Sequence, residues 1–291
     1  MDNSQSQPPS CRPLEGNQLP ESGSKSDDGS RRWILVPTNF TIESTYALRH
    51  AQGTARVTGH RVMLLHVLEA GEQEAQAQES LRQQLRAADD DVPIDTMLEH
   101  GVVSRVVPAV GQHLGTDYIV LGSHDVKIPQ NQKLSTSLKL LTHGDIPYVV
   151  VQERPKSDRY QRVIYPIDFT DETNMQTRWL DNLCQHHNPA VCLLRPDVNE
   201  VDLLDCIDQN ISKAIRILAA HHARYTVRTV EGKTDYAVEI LQTARDLSAD
   251  LIVVTTSYDP RVKGDYMLEP HERKLLLQAA DIPVMTINPT I

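Results

Sequence analysis

No stretch of this chain approaches the roughly 18–20 consecutive apolar residues that cross a bilayer, so no membrane partner is expected. Its start, Met1-Asp2-Asn3-Ser4, lacks a basic n-region and an apolar h-region, so no secretion signal is expected either. Basic residues are in deficit: 29 Lys and Arg stand against 39 Asp and Glu, a net charge of −10. That balance disfavours a general phosphate-backbone binder, and nucleic acid is not an expected partner. Cysteine is scarce and uneven, with Cys11 near the start and Cys184, Cys192 and Cys206 in the second half. A disulfide framework would show an even, patterned set, so a reducing cytoplasm is the expected location.

Repetition is what the chain has. Ile34-Leu35-Val36-Pro37-Thr38-Asn39-Phe40-Thr41 recurs as Val163-Ile164-Tyr165-Pro166-Ile167-Asp168-Phe169-Thr170. Asp117-Tyr118-Ile119-Val120-Leu121-Gly122 recurs as Asp250-Leu251-Ile252-Val253-Val254-Thr255, and Asp145-Ile146-Pro147 recurs as Asp281-Ile282-Pro283. The three landmarks keep their order while the offset grows slowly, as in a duplicated domain with small loop insertions. The expected organisation is a tail at 1–31, a first domain at 32–152, a charged linker at 153–159 around Pro155, and a second domain at 160–291. The tail is built of Ser, Gln, Pro, Gly and charges and cannot bury enough surface to offset its ordering entropy. Ser24, Ser26 and Ser30 beside Asp27 and Asp28 are modification candidates, but unstructured solubilising sequence is the plainer reading.

Within each copy, short continuous apolar runs alternate with helical patterns. In the first copy the runs are Trp33–Pro37, Val62–Val67, Val92–Leu98, Tyr118–Leu121 and Tyr148–Val151. Helices are expected after Thr41, which can cap with Glu43 in the first turn, then through Leu81 and Leu85, through Val106, Val110 and Leu114, and through Leu138 and Leu141. In the second copy, Leu204, Ile207, Ile211, Ala214 and Leu218 form a core-facing stripe, and Ala237, Ile240, Leu241, Ala244 and Leu247 another. Apolar strands alternating with helices indicate a parallel sheet covered on both faces, and right-handed crossovers make it doubly wound. The fold class is therefore α/β, as two tandem doubly wound five-stranded parallel sheets rather than one continuous mixed sheet.

In such sheets ligands sit beyond the carboxyl ends of the strands. The loops to watch are Pro37-Thr38-Asn39-Phe40 and Gly122-Ser123-His124-Asp125. With Leu64-Leu65-His66-Val67 and Asp145-Ile146-Pro147, these segments resemble the universal stress protein family, in two tandem copies over nearly all of residues 32–289. The resemblance implies a Rossmann-like fold of the adenine nucleotide alpha hydrolase type. It also implies a pairing of the last strands, Tyr148–Val151 with Val284–Ile287, across a pseudo-two-fold axis inside one chain, with a further homodimer open.

ATP-binding members of that family carry Gly-x2-Gly-x9-Gly followed by Ser or Thr after strand four. Such glycines let backbone N–H groups approach phosphates. Laid over this chain, the pattern meets Gly122, Asp125, Ser135 and Thr136, or Leu134 and Ser135 at the last pair when counted back from Pro147. Asp125 sets a carboxylate where phosphates would lie, and like charges about 4 Å apart repel by roughly 1–4 kcal/mol. The nucleoside-contacting Asp of the family is Asn39 here and survives as Asp168 in the second copy, where Thr255, Tyr258 and Leu268 replace the phosphate loop. The binding candidates are thus Pro37, Thr38, Asn39, Val67, Gly122, His124, Asp125, Ser135, Thr136 and Asp168. Two functions compete: a non-enzymatic stress-response module with an unknown protein partner and no cofactor, and an ATP or AMP binder, or slow hydrolase, using the first cleft.

Other groupings have plainer readings. Cys184-Gln185-His186-His187 with Cys192 and His221-His222 matches no standard zinc spacing, and a buried Cys192 would be a small hydrophobe. His66 and His124 stand in no recognisable catalytic motif, and His66 reads as a hydrogen-bonded structural residue. Asp171 and Glu172, beside Asp168, favour the start of a helix capped by Thr170 rather than a cation site. Tyr258–Asp265 reads as a polar loop over the second cleft.

Overall fold

A computed structural model describes residues 32–89, 91–123, 139–167, 174–198, 200–258, 261 and 266–289. The tail, residues 124–138 and residues 168–173 lie outside the described residues, and so do most of the helix expected through Leu138 and the helix start expected at Thr170. In the first half the elements run β1 (Trp33–Pro37), α1 (Ile42–Thr58), β2 (Arg61–Leu68), α2 (Glu74–Arg86), β3 (Ile94–His100), α3 (Val103–Leu114), β4 (Thr116–Gly122) and β5 (Tyr148–Val151). In the second they run β6 (Arg162–Pro166), α4 (Asn174–His187), β7 (Ala190–Arg195), α5 (Val201–Ala220), β8 (Tyr225–Thr229), α6 (Tyr236–Asp246) and β9 (Leu251–Thr255). A two-stranded hairpin, β10 (Ser257–Tyr258) and β11 (Tyr266–Met267), then leads to α7 (Pro270–Gln278) and β12 (Val284–Ile287).

The strand order is β3-β2-β1-β4-β5-β12-β9-β6-β7-β8. Each half is a parallel five-stranded unit with its first strand central, the doubly wound order expected from the apolar runs. Separation into two sheets does not hold. Antiparallel pairing of β5 with β12 makes the sheet continuous and, at that seam, mixed. The two expectations exclude one another, because joining two edge strands necessarily fuses their sheets. The join satisfies backbone groups that would otherwise present two unpaired apolar edges.

Local rules explain most element ends. Thr41 caps α1, Glu43 lies in its first turn, and Gly59 closes it in the left-handed region with its N–H on Ala55 O at 2.8 Å. The stripe on α5 buries Ile207, Ile211, Ala214 and Leu218, and that on α6 buries Ala237, Ile240, Leu241 and Ala244. Strand β3 starts two residues later than the apolar run suggests, since Pro93 has no N–H to give the ladder. Apolar side chains alternate between faces, so Ile34 and Val36 belong to one layer and Leu35 to the other. Both layers run across the seam into the second half.

Candidate functional site

Beyond the carboxyl ends of β1, β2 and β4 lies a cleft of 550 Å³. Pro37, Thr38, Asn39, Val67 and Gly122 line it, so five of the sequence candidates come together. His124, Asp125, Ser135, Thr136 and Asp168 fall outside the described residues. The cleft also takes in His66, Glu69 and Glu72.

Most of the polar groups here are engaged in holding their own loop. Thr38, 6 % exposed, has its hydroxyl 2.8 Å from Gln84 Oε1 and 3.0 Å from Ser44 Oγ, and it accepts the Phe40 N–H at 3.0 Å. Asn39 Oδ1 accepts from the Thr41 hydroxyl at 2.8 Å and the Thr41 N–H at 3.3 Å, a turn that leads the chain into α1. Thr41 Oγ1 in turn accepts from Ser44 N at 3.4 Å. Replacing Thr41 with alanine removes both roles, and chemical denaturation is expected to show a loss of about 1 kcal/mol; an unchanged midpoint would show that the cap contributes nothing.

Phe40 adopts φ 64°, a left-handed conformation that a bulky side chain takes only under constraint. Its ring packs 4.4 Å from that of His66. His66 Nδ1 lies 2.8 Å from Thr38 O and its Nε2 lies 3.0 Å from Glu72 Oε1, so the ring pins the β1 loop to the segment after β2. Sequence reasoning recognised His66 as structural but missed Glu72. Six residues separate the pair across a turn, and no periodicity marks that contact.

Gly122 is the surviving glycine of the phosphate pattern, and its packing gives it another reason to exist. A Cβ there would land on the Glu43 carbonyl group and 2.5 Å from Ser44 N. The start of α1 is seated directly on the end of β4, and only glycine leaves room.

The second half repeats the cleft at 580 Å³, beyond the carboxyl ends of β6, β7 and β9 and beside the amino-terminal ends of α6 and α7. Its chemistry differs. Asp197, Asp235, Glu239, Glu269 and Glu272 line it. Asp235 caps α6 by accepting from Ala237 N at 3.0 Å. Glu239 accepts from the backbone N–H groups of Thr234, Glu231 and Gly232, which hold its carboxyl below the usual range. Glu269 and Glu272 form a reciprocal capping box at the start of α7, with Glu269 N donating to Glu272 at 2.7 Å. The helix N-termini that greet phosphates in nucleotide sites are here occupied by the chain's own carboxylates. Burial lowers the His271 pKa on the same wall. Among the described residues, neither cleft is lined by Lys or Arg. Cys192 lies buried within β7, and His186 and His187 end α4 against the first half rather than in either cleft.

Residues 30–152 match the model of the universal stress protein family. None of the curated proteins matches the chain. Among solved structures, a universal stress protein from Archaeoglobus fulgidus shares the fold at 14% identity and a TM-score of 0.69, over 89% of this chain and 98% of that one. A functionally unknown protein from Pseudomonas aeruginosa does so at 18% identity and a TM-score of 0.58, over 89% and 93%. Both likenesses are of fold, and both extend across the two halves. Residues 30–152 are thus similar to the universal stress protein family, and the second half of the chain repeats the strand order of the first.

Proposed function

We propose that the chain is a non-enzymatic, cytoplasmic stress-response binding protein that engages a protein partner and holds ATP weakly or not at all. The observation that carries this reading is the chemistry of the two clefts. Carboxylates line both, and in the second they already sit on the helix N-termini that a phosphate would need. A carboxylate close to a phosphate opposes binding by about 1 kcal/mol or more per pair. In the first copy, Asp125 and Ser135 also replace motif glycines, and Asn39 replaces the nucleoside-contacting Asp.

ATP or AMP binding in the first cleft is the second reading. It is favoured by the gathering of Thr38, Val67 and Gly122 there, and by the N-terminus of α3, which has no side-chain cap. Isothermal titration separates the two. No ATP site tighter than about 0.1 mM, roughly −5.5 kcal/mol, is expected, and a micromolar site would overturn the proposal. Asn39→Asp, Asp125→Gly and Ser135→Gly together are expected to tighten binding. Gly122→Glu is a poor loss-of-binding control, because it displaces α1.

A further inference from the structure

We propose that a histidine–tyrosine cluster on one face of the seam is an acid-sensitive latch between the two halves. The strand join alone is short, with three register pairs: Val284 with Val150, Met285 with Val149 and Thr286 with Tyr148. On one face, α1 and α4 meet across it. The first half contributes His50 on α1, His60 just past its end, and Asp117 and Tyr118 on β4. The second contributes Trp179, His186 and His187 on α4, together with Tyr160, the first residue after the linker.

Two rings of this cluster, those of His50 and His187, have no acceptor for a second ring proton. His50, 2 % exposed, has Nε2 2.7 Å from the Tyr160 hydroxyl, and its buried Nδ1 has no partner among the described residues. A proton on both nitrogens would bury an N–H with nothing to accept it, a penalty larger than that of an ordinary lost hydrogen bond. His187 Nδ1 accepts the Tyr160 N–H at 3.2 Å, and protonation there abolishes that bond. The Tyr160 and His187 rings are 4.6 Å apart, and the edge of Tyr118 meets Trp179 at 5.6 Å. His186 sits 5.9 Å from His60, whose Nε2 is 2.6 Å from Asp117.

The charged groups around the cluster are already committed. Asp158, which faces His50, is held by Arg56 at 2.9 Å and packs against Gly53. Asp117 is shared by Arg32 and His60. Asp250, near Tyr160, accepts the N–H groups of Gln161 and Arg162. The rings of His186, His50 and His60 and the Arg159 guanidinium stand around His187, so a proton there meets like charge. A second positive ring therefore finds repulsion and no free carboxylate. Burial brings His50 down to about 4 and His187 down to about 3, and it lowers His186 as well.

The sign follows. The folded values lie below the ordinary histidine value of about 6.5, so cohesion is complete above that pH and falls as acid approaches 4. Elsewhere the halves are tied by Gln152 Nε2 to Leu276 O at 2.6 Å, Asn288 Nδ2 to Gly144 O at 2.7 Å, and Lys156 to Asp281 at 2.8 Å. Those ties do not depend on histidine, so acid loosens the α1–α4 face first.

The full chain carrying Trp33→Phe keeps Trp179 as its sole tryptophan, a reporter inside the cluster. Its emission is expected to shift to the red between about pH 6.5 and 4 while far-UV circular dichroism is retained. Adding His50→Gln and His187→Gln is expected to lower the midpoint by about one pH unit or more, whereas exposed His113→Gln leaves it in place. A fluorescence change that coincides with loss of secondary structure overturns the latch, and so does a midpoint unmoved by the double variant. Should that variant fail to fold, proton NMR of the unmodified chain decides. His50 and His187 rings that protonate only with the Trp179 change support the proposal; either ring titrating above pH 6 in the closed fold overturns it.

Discussion

Substituting valine for Gly122 is expected to remove about 3 kcal/mol of folding stability, measured as a drop in the urea midpoint without a change in slope. A Cβ at this position meets main chain rather than a flexible side-chain tip: the Glu43 carbonyl and Ser44 N, both at the first turn of α1. Relief requires α1 to lift, and α1 carries Ala47, Leu48, Ala51 and Ala55 into the core under β1 and β4. The same motion would pull Asn39, which Thr41 holds, away from the first cleft, so damage to stability and to the cleft arrive together. Gly115→Ala is the contrast. It closes α3 in the left-handed region with open space around it, and should cost only about 1–2 kcal/mol in backbone strain. A Gly122 variant within about 1 kcal/mol of the parent would mean that the close approach is soft.

This glycine shows where a motif and a packing constraint become confused. From the sequence alone, Gly122 reads as what remains of a phosphate loop, and the structure gives it a second duty as the seat of a helix. The strands were legible because buried parallel strands are continuous apolar runs, and the repeat tied each run in one copy to its counterpart. The α5 and α6 stripes were legible for the same reason, since their 3–4 spacing reflects a covered face. What escaped was contact between segments with no fixed spacing. Glu72 reaches His66 across a turn. Glu269 caps α7 although Ser, Thr, Asp and Asn are the usual signals for that position, so the carboxylate lining of the second cleft went unseen. In sequence His186 and His187 stand with Cys184 as a metal-ligand candidate, because nothing in a linear pattern shows that α4 lies against α1. The sheet's continuity was misjudged for a related reason. Final-strand pairing was foreseen, but its consequence, one sheet with an antiparallel seam, belongs to the assembled edges.

Those edges carry the second large effect. Val149 is 0 % exposed and faces Met285, 1 % exposed, at the centre of the join. A lysine in place of Val149 would bury an ammonium group in the apolar layer that holds Val151, Val120 and Ile287. The expected loss is about 4 kcal/mol or more, since neutralising the amine or dragging water into the layer are the only escapes. The lesion should act on the seam before it acts on either half. Cleaving the chain at a protease site introduced beside Pro155 makes the distinction measurable. Cut chains of otherwise unmodified sequence should elute together at micromolar concentration, because separation would expose two four-residue strands buried along their whole length, together with the apolar layers that cross between the halves. Cut chains carrying Val149→Lys should elute as two species, each retaining helical circular dichroism. Unmodified halves that part on cutting would show that the linker, and not the join, keeps the sheet whole.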